Sequence, residues 1–198
     1  MRKLFVIFAT WISKLIGMIA MPYIKKKMDG RDYYEALKKV KPGMVFLTRV
    51  DGYLSNSFIP GYWKHAAIYC NHDGNHPCVI EATSEGVAET DLITFLMTKD
   101  VAAIYYPKFA DPKMMRLASD MAHKLVGRPY DYAFQTDNEA FYCSEVIWYA
   151  YNKATNGKSP FELRETLGQQ TAIPQDIANA TKKWDKVWHS ASFKGEMA

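Results

Sequence analysis

The chain has 198 residues, of which 48% are hydrophobic and 14% aromatic, and its formal net charge is +4. This length suits one domain with a full core and is short for two. The basic residues form neither one long run nor an arginine-rich arm, so nucleic acid is not expected as a partner. Three cysteines are an odd number, which argues against a disulfide framework and leaves at least one thiol free.

Residues 1–28 are predicted to form an N-terminal amphipathic helix that is an appendage to the main domain, residues 29–198. Two basic residues precede an apolar stretch over 4–21, whose few polar residues gather on one narrow helical face. Lys14 within this stretch argues against a clean membrane span. Three interpretations stay open: a helix lying in a membrane interface, a signal peptide or signal anchor, and a helix docked on its own domain.

The membrane-interface interpretation predicts a membrane surface as a partner of residues 1–24. The expected location is then the membrane or the cell envelope, and a cytoplasmic location is the alternative.

From residue 29 onward, short strands and helices follow one another without a βαβ rhythm, which indicates an α+β fold with an antiparallel sheet packed on helices. Gly, Pro and Asn punctuate these segments. In chain order, we expect a helix over 32–40, strands over 44–48, 63–70, 78–83 and 86–89, a helical stretch over 90–96, a strand over 101–106, a helix over 111–126, a helix from 143, a short helix from 173 and a strand over 186–188.

The two strand-like runs around Asp73-Gly74 predict a β-hairpin. If the hairpin pairs Cys70 with Cys78, its register places Glu81 on the same face as His65, on the diagonal and within reach of a long side chain. The alternative is that His65 is only a polar residue at a strand end and that Glu81 is solvated.

The hairpin turn carries a second group of residues in the pattern Cys70-x-His72-x-x-x-His76-x-Cys78. Cysteine and histidine are zinc ligands, but this spacing is not one of the usual zinc-binding patterns. A disulfide between the two cysteines is the other alternative. We expect no metal and no cofactor in the site, and the pairing of the two cysteines stays open.

The stretch Phe141–Val146 reads as a loop that delivers a cysteine to the start of a helix. Apolar residues recur on one helical face downstream, and Asn156-Gly157 supplies the C-terminal stop. Cys143 then lies at the first turn, where unpaired N–H groups and the helix dipole lower the pKa of a thiol. The alternative is a buried cysteine that packs as a small hydrophobic residue.

In their order along the chain, these motifs resemble the YiiX/YebB-like enzymes, a circularly permuted branch of the NlpC-type papain-like cysteine hydrolases. In ordinary papain-like proteins the cysteine helix precedes the histidine strand, whereas here it follows. The resemblance extends over residues 41–180 and implies a circularly permuted papain-like fold. The motifs that carry it are His65-Ala66-Ala67-Ile68-Tyr69, Val79-Ile80-Glu81-Ala82, Gly127-Arg128-Pro129-Tyr130-Asp131, Tyr142-Cys143-Ser144-Glu145-Val146 and Pro174-Gln175-Asp176.

This resemblance implies that Cys143 is the nucleophile, His65 the general base and Glu81 the group that orients the imidazole. The chemistry agrees, because a cysteine beside a histidine becomes a thiolate–imidazolium pair and a carboxylate on the other ring nitrogen fixes the tautomer. The N–H of Cys143 can face the oxyanion of a tetrahedral intermediate. Tyr130 and Tyr142 are the candidates for contact with substrate.

The expected function is that of a cysteine hydrolase that cleaves an amide or related acyl bond through an acyl-enzyme on Cys143. The superfamily suggests two substrates: the peptide stem of the bacterial cell wall, and a lipid-linked amide, since permuted relatives such as lecithin:retinol acyltransferase handle lipids. The alternatives are a lipid acyltransferase of the same fold and a catalytically idle, membrane-associated binding protein.

Overall fold

The computed structural model describes residues 28–52, 59–71, 74–132, 139–166 and 169–195. The predicted N-terminal helix and His72 of the hairpin turn lie outside these residues. Within them, no helix is long and apolar enough to cross a membrane.

The elements follow the predicted order, except that two short strands over 164–166 and 169–171 lie where the sequence predicted a loop. The helices are α1 (Gly30–Lys39), α2 (Leu92–Met97), α3 (Pro112–His123), α4 (Cys143–Ala154) and α5 (Pro174–Asn179). The strands are β1 (Val45–Arg49), β2 (His65–Cys70), β3 (Cys78–Thr83), β4 (Gly86–Asp91), β5 (Val101–Pro107), β6 (Arg164–Thr166), β7 (Gln169–Thr171) and β8 (Trp184–His189).

A six-stranded sheet in the order β4-β3-β2-β1-β5-β8 organises the domain, and each neighbouring pair in it is antiparallel. β6 and β7 form a separate two-stranded sheet. Helices α3 and α4 contact each other and pack on β2 and β3. This arrangement confirms the predicted α+β class with an antiparallel sheet packed on helices.

The β2–β3 hairpin has the predicted register, with Cys70 opposite Cys78 and Ala67 opposite Glu81. β1 continues the sheet on the other side of β2 and pairs Thr48 with His65. Glu81 shares a face with Ala67, because opposite residues of antiparallel strands point the same way. His65 lies two residues before Ala67 on the same strand, so its side chain emerges from that face too.

Helix α4 begins at Cys143 because a side chain from its own first turn caps its N-terminus. The Glu145 carboxylate accepts a hydrogen bond from the backbone N–H of Tyr142, the residue before the helix (3.4 Å). The helix stops where Asn156 and Gly157 adopt positive φ angles of 53° and 91°. Both ends agree with the prediction, and the residues between them bury an apolar face against α3 and the sheet.

Gly43 ties the start of β1 to α3 and α4. Its φ angle is +88°, and a Cβ there would collide with the backbone of Met115. Its N–H donates to the carbonyl of Tyr69 (2.9 Å), and its own carbonyl accepts the hydroxyl of Tyr151. A side chain at this position would therefore strain the backbone and push α3 away from the sheet.

We expect Gly43→Ala to lower the free energy of unfolding by about 3 kcal/mol, measured by denaturant titration. Gly157→Ala is the matched control, because Gly157 also has a positive φ of 91° but faces open space, so only the dihedral cost of about 1 kcal/mol remains. Equal losses of unfolding free energy in the two variants would show that the collision with α3 contributes nothing to the effect of Gly43→Ala.

Candidate active site

His65 and Glu81 meet as the hairpin register predicts. The Nε2 atom of His65 lies 2.7 Å from Oε2 of Glu81. The other carboxylate oxygen accepts the hydroxyl of Thr90 at 2.7 Å. Both oxygens of this buried carboxylate are therefore engaged, and the carboxylate in turn fixes the orientation of the imidazole.

Cys143 stands at the first position of α4, and its thiol forms a hydrogen bond with the His65 ring. The backbone N–H groups of Ala66 and Ser144 also donate to the sulfur. Because Glu81 takes Nε2 of the ring, Nδ1 is the nitrogen left for the sulfur. The structure thus brings together all three of the residues predicted to be catalytic.

The three groups shift one another's pKa values in the directions that favour an ion pair. Burial lowers the pKa of His65, but its hydrogen bonds with Cys143 and Glu81 and their negative charges outweigh burial and raise it to about 9. Burial raises the pKa of Glu81, but the hydrogen bond and charge of His65, with smaller effects from Lys99 and Thr90, lower it to about 2.

The thiol of Cys143 follows the same logic. Burial raises its pKa, and the hydrogen bond with His65, the charge of that ring and the two backbone N–H groups together lower it below its ordinary value. A lowered thiol pKa beside a raised imidazole pKa favours the thiolate–imidazolium pair over the neutral pair. The thiolate is the nucleophilic form of cysteine.

The other two cysteines do not belong to this site. Cys70 and Cys78 form a disulfide across β2 and β3, which decides the alternative that the sequence left open. The disulfide uses both sulfurs of the zinc pattern in the hairpin turn, and His76 of that pattern is exposed. Among the described residues, Cys143 is the free cysteine.

Tyr130 lies beside Phe141, two residues before Cys143, because a short parallel bridge joins the two residues. Phe141 donates its N–H to the carbonyl of Pro129 (2.9 Å), and Asp131 donates to the carbonyl of Phe141 (3.2 Å). Burial, and then the charge on Cys143, raise the pKa of the Tyr130 phenol, so its hydroxyl stays protonated. A protonated hydroxyl near the sulfur is available as a hydrogen-bond donor.

Tyr142 is placed differently from Tyr130. Its ring is among the largest fully buried side chains, and its hydroxyl accepts the backbone N–H of Ala172 (2.9 Å). Ser144 donates its hydroxyl to the carbonyl of the same Ala172 (3.0 Å). This burial favours a role for Tyr142 in positioning α4 over the predicted contact with substrate.

Gln175 is a supporting residue whose role the sequence did not indicate. Its side-chain oxygen accepts the backbone N–H groups of Tyr62 (2.9 Å) and Trp63 (3.2 Å), in the segment that enters β2 just before His65. The neighbouring Asp176 forms an ion pair with Arg164. The late Pro174-Gln175-Asp176 motif thus anchors the chain that carries the histidine.

Comparison with known proteins finds a matching family and a similar fold. Residues 39–194 match the family described as "Permuted papain-like amidase enzyme, YaeF/YiiX, C92 family". Among solved structures, the chain is similar to one described as the crystal structure of metalloprotein yiiX from Escherichia coli O157:H7, DUF1105. The TM-score is 0.67 and the identity 17%, over 77% of this chain and 98% of that one, so this likeness shows the fold alone. No curated protein matches the chain.

Proposed function

Because this chain belongs to the permuted papain-like amidase family of YaeF and YiiX, whose members are cysteine hydrolases, we propose that it cleaves an amide bond with Cys143, His65 and Glu81 as its catalytic residues. The observation that carries the proposal is the continuous set of contacts from the Cys143 thiol through the His65 ring to the buried Glu81 carboxylate. Such a series is the arrangement that nucleophilic catalysis needs.

Acylation begins with attack of the Cys143 thiolate on the carbonyl carbon of the substrate. A carbon–sulfur bond forms, and the carbonyl electron pair moves to oxygen. When the tetrahedral intermediate collapses, the carbon–nitrogen bond breaks and the His65 imidazolium gives its proton to the leaving amine. The product that stays on the enzyme is a thioester of Cys143.

Deacylation uses the same histidine in the opposite direction. Neutral His65 takes a proton from water, and the hydroxide attacks the thioester carbon. The carbon–sulfur bond then breaks, and Cys143 returns as a thiolate beside an imidazolium. Glu81 stays ionised throughout and stabilises the charged ring, since its pKa is lowered to about 2.

Stabilisation of the oxyanion is assigned to two donors. The backbone N–H of Cys143 lies at the N-terminus of α4, where the helix dipole favours negative charge. We propose the Tyr130 hydroxyl as the second donor, because its loop pairs with Phe141, two residues before Cys143, and the phenol stays protonated. These groups are suited to charge that develops in the transition state and is absent from the ground state.

The substrate class we propose is a lipid-linked amide presented at a membrane surface. The apolar segment over 4–21, with lysines at its flanks, supports attachment of residues 1–24 to a membrane or cell envelope. The charge of Lys99 lies near the site, where it lowers the pKa of Glu81. This charge suits a substrate with an anionic group. A cell-wall stem peptide is the second substrate class to be tested.

The test offers both substrate classes to the purified full chain. Lipid-linked amides in anionic phospholipid vesicles and stem peptides in solution are incubated separately, and the freed amine is quantified. An acid quench followed by mass spectrometry should show an acyl adduct on the peptide that contains Cys143. Heavy-oxygen water then separates hydrolysis, which labels the released acid, from transfer to a second acceptor. No adduct and no amine with either class would refute the amidase proposal.

The role of Glu81 gives a graded prediction. Glu81→Gln keeps the shape of the side chain but removes the charge that supports the imidazolium, so we expect the pKa of His65 to fall from about 9 by at least one unit. The equilibrium between the thiolate–imidazolium pair and the neutral pair then shifts toward the neutral pair, by about tenfold per unit. The measurement is the pH profile of Cys143 alkylation, alongside an NMR titration of the ring.

Glu85→Gln is the matched control for this prediction, because Glu85 is exposed in the turn between β3 and β4. It should leave both the His65 titration and the alkylation profile unchanged. An unchanged profile in Glu81→Gln would show that the carboxylate does not support the ion pair.

A further inference from the structure

A second cluster of ligand-type side chains lies at the opposite end of β2 from His65. Cys70 and Cys78 face each other across β2 and β3 with a Cα–Cα distance of 5.2 Å, and both are buried. A carboxylate oxygen of Glu89, on β4, and the two sulfurs all lie within 4.8 Å of one another. His123, at the end of α3, places Nδ1 3.0 Å from Oε2 of Glu89.

An oxidised pair of cysteines offers the Glu89 carboxylate no hydrogen bond. A disulfide carries no proton to donate, and its sulfurs are weak acceptors. Reduction changes this, because two thiols then face one carboxylate and all three groups carry negative charge when ionised. Like charges this close oppose one another's ionisation unless a cation joins them.

The types of ligand indicate the cation. Two cysteine sulfurs and one carboxylate oxygen lie together, and the His123 imidazole, in contact with that carboxylate, can supply a fourth ligand. Zinc binds these types of ligand in tetrahedral sites. Thiolate ligands argue against magnesium and calcium, which take oxygen ligands. The four residues come from β2, β3, β4 and α3, so one ion would join three strands and a helix.

We propose that the reduced form of Cys70 and Cys78, together with Glu89 and His123, binds one zinc-type divalent cation. The site is separate from Cys143 and does not depend on the proposed amidase activity. Reduction by two molecules of a small thiol breaks the sulfur–sulfur bond, yields two protein thiols and leaves the reductant as its own disulfide. Binding of the ion then releases both thiol protons.

The position of the site gives the ion a consequence for the hairpin. β2 carries His65 and β3 carries Glu81, and the disulfide joins these two strands at their other ends. With the ion bound, the same strands stay joined after the disulfide is reduced. The register that aligns the imidazole with the carboxylate is then held in both redox states.

The experiment uses the full chain with Cys143→Ser, so that Cys70 and Cys78 are its only thiols. The protein is reduced with a phosphine, cobalt(II) is added as the probe, and thiolate-to-cobalt charge-transfer absorption is recorded. We expect one cobalt per chain, displacement by zinc, and no such band in the oxidised protein. Glu89→Gln and His123→Ala should each weaken cobalt binding at least about tenfold. Loss of a residue that only hydrogen-bonds to a metal ligand already costs about that much affinity.

His76→Ala is the matched control, because His76 belongs to the rival set of ligands in the hairpin turn and is exposed. Its cobalt affinity should equal that of the parent protein. Glu89 and His123 are half-exposed, so their variants should fold, and circular dichroism checks this. The proposal is overturned if the reduced protein shows no band, if the oxidised protein shows the same band, or if His76→Ala loses the ion while His123→Ala keeps it.

Discussion

Replacing Cys143 with alanine is expected to lower the rate of amide hydrolysis by at least about 10⁴-fold, the scale of loss seen when the nucleophile of a covalent mechanism is removed. The thioester cannot form without the sulfur, and the remaining donors can only bind substrate and polarise its carbonyl. The measurement is kcat/KM on whichever substrate class releases amine, with the acyl adduct followed in parallel by mass spectrometry.

The matched control for this prediction is the double variant Cys70→Ser and Cys78→Ser. It removes the other two cysteines of the chain but leaves Cys143 beside His65. We expect it to retain at least about a tenth of the parent activity, since the backbone pairing of β2 with β3 still aligns His65 with Glu81 when the disulfide is absent. Hydrolysis that survives in Cys143→Ala, with the fold intact, would mean that another group is the nucleophile.

The second large effect concerns the reactivity of the thiol itself. In the parent protein, a thiol pKa below its ordinary value keeps a larger fraction of Cys143 ionised below neutral pH than an ordinary thiol would have. In His65→Ala the partner charge is gone while burial still opposes ionisation. The thiol pKa should then return to about 8.5 or higher.

We therefore expect alkylation of Cys143 by iodoacetamide at about pH 6 to fall at least about tenfold in His65→Ala, because the thiolate fraction falls by about tenfold for each unit by which the thiol pKa rises. The difference should shrink as the pH rises above 9, where the thiol ionises without help. His76→Ala, at an exposed histidine, should keep the parent profile. Equal rates at about pH 6 would exclude the ion pair.

The parts of the site that could be predicted are those that depend on local pattern. The Cys70–Cys78 register follows from one turn and the alternation of two strands, and it fixes which face His65 and Glu81 share. The start of α4 at Cys143 follows from helical periodicity. Pattern of this kind is enough to place an imidazole beside a carboxylate, because both are on one hairpin.

The parts that could not be predicted depend on contacts between distant segments. Whether Tyr142 lines a pocket or packs inside is decided by Ala172, whose N–H binds its hydroxyl. The anchoring of the chain before His65 by Gln175 joins residues with no shared pattern. The strand over 184–189 extends beyond the predicted 186–188 because pairing with β5 overrides the low strand propensity of an exposed residue such as Asp185.

The separation along the chain between the two halves of the site has a consequence during synthesis. The base and its carboxylate are only 16 residues apart on one hairpin, so they can assemble early from local contacts. Cys143 emerges later and gains its partner only when α4 docks on the sheet. Until then its thiol keeps an ordinary pKa and is mostly protonated near neutral pH. Cys143 is therefore a weak nucleophile in the nascent chain, and it becomes an activated nucleophile only when folding is complete.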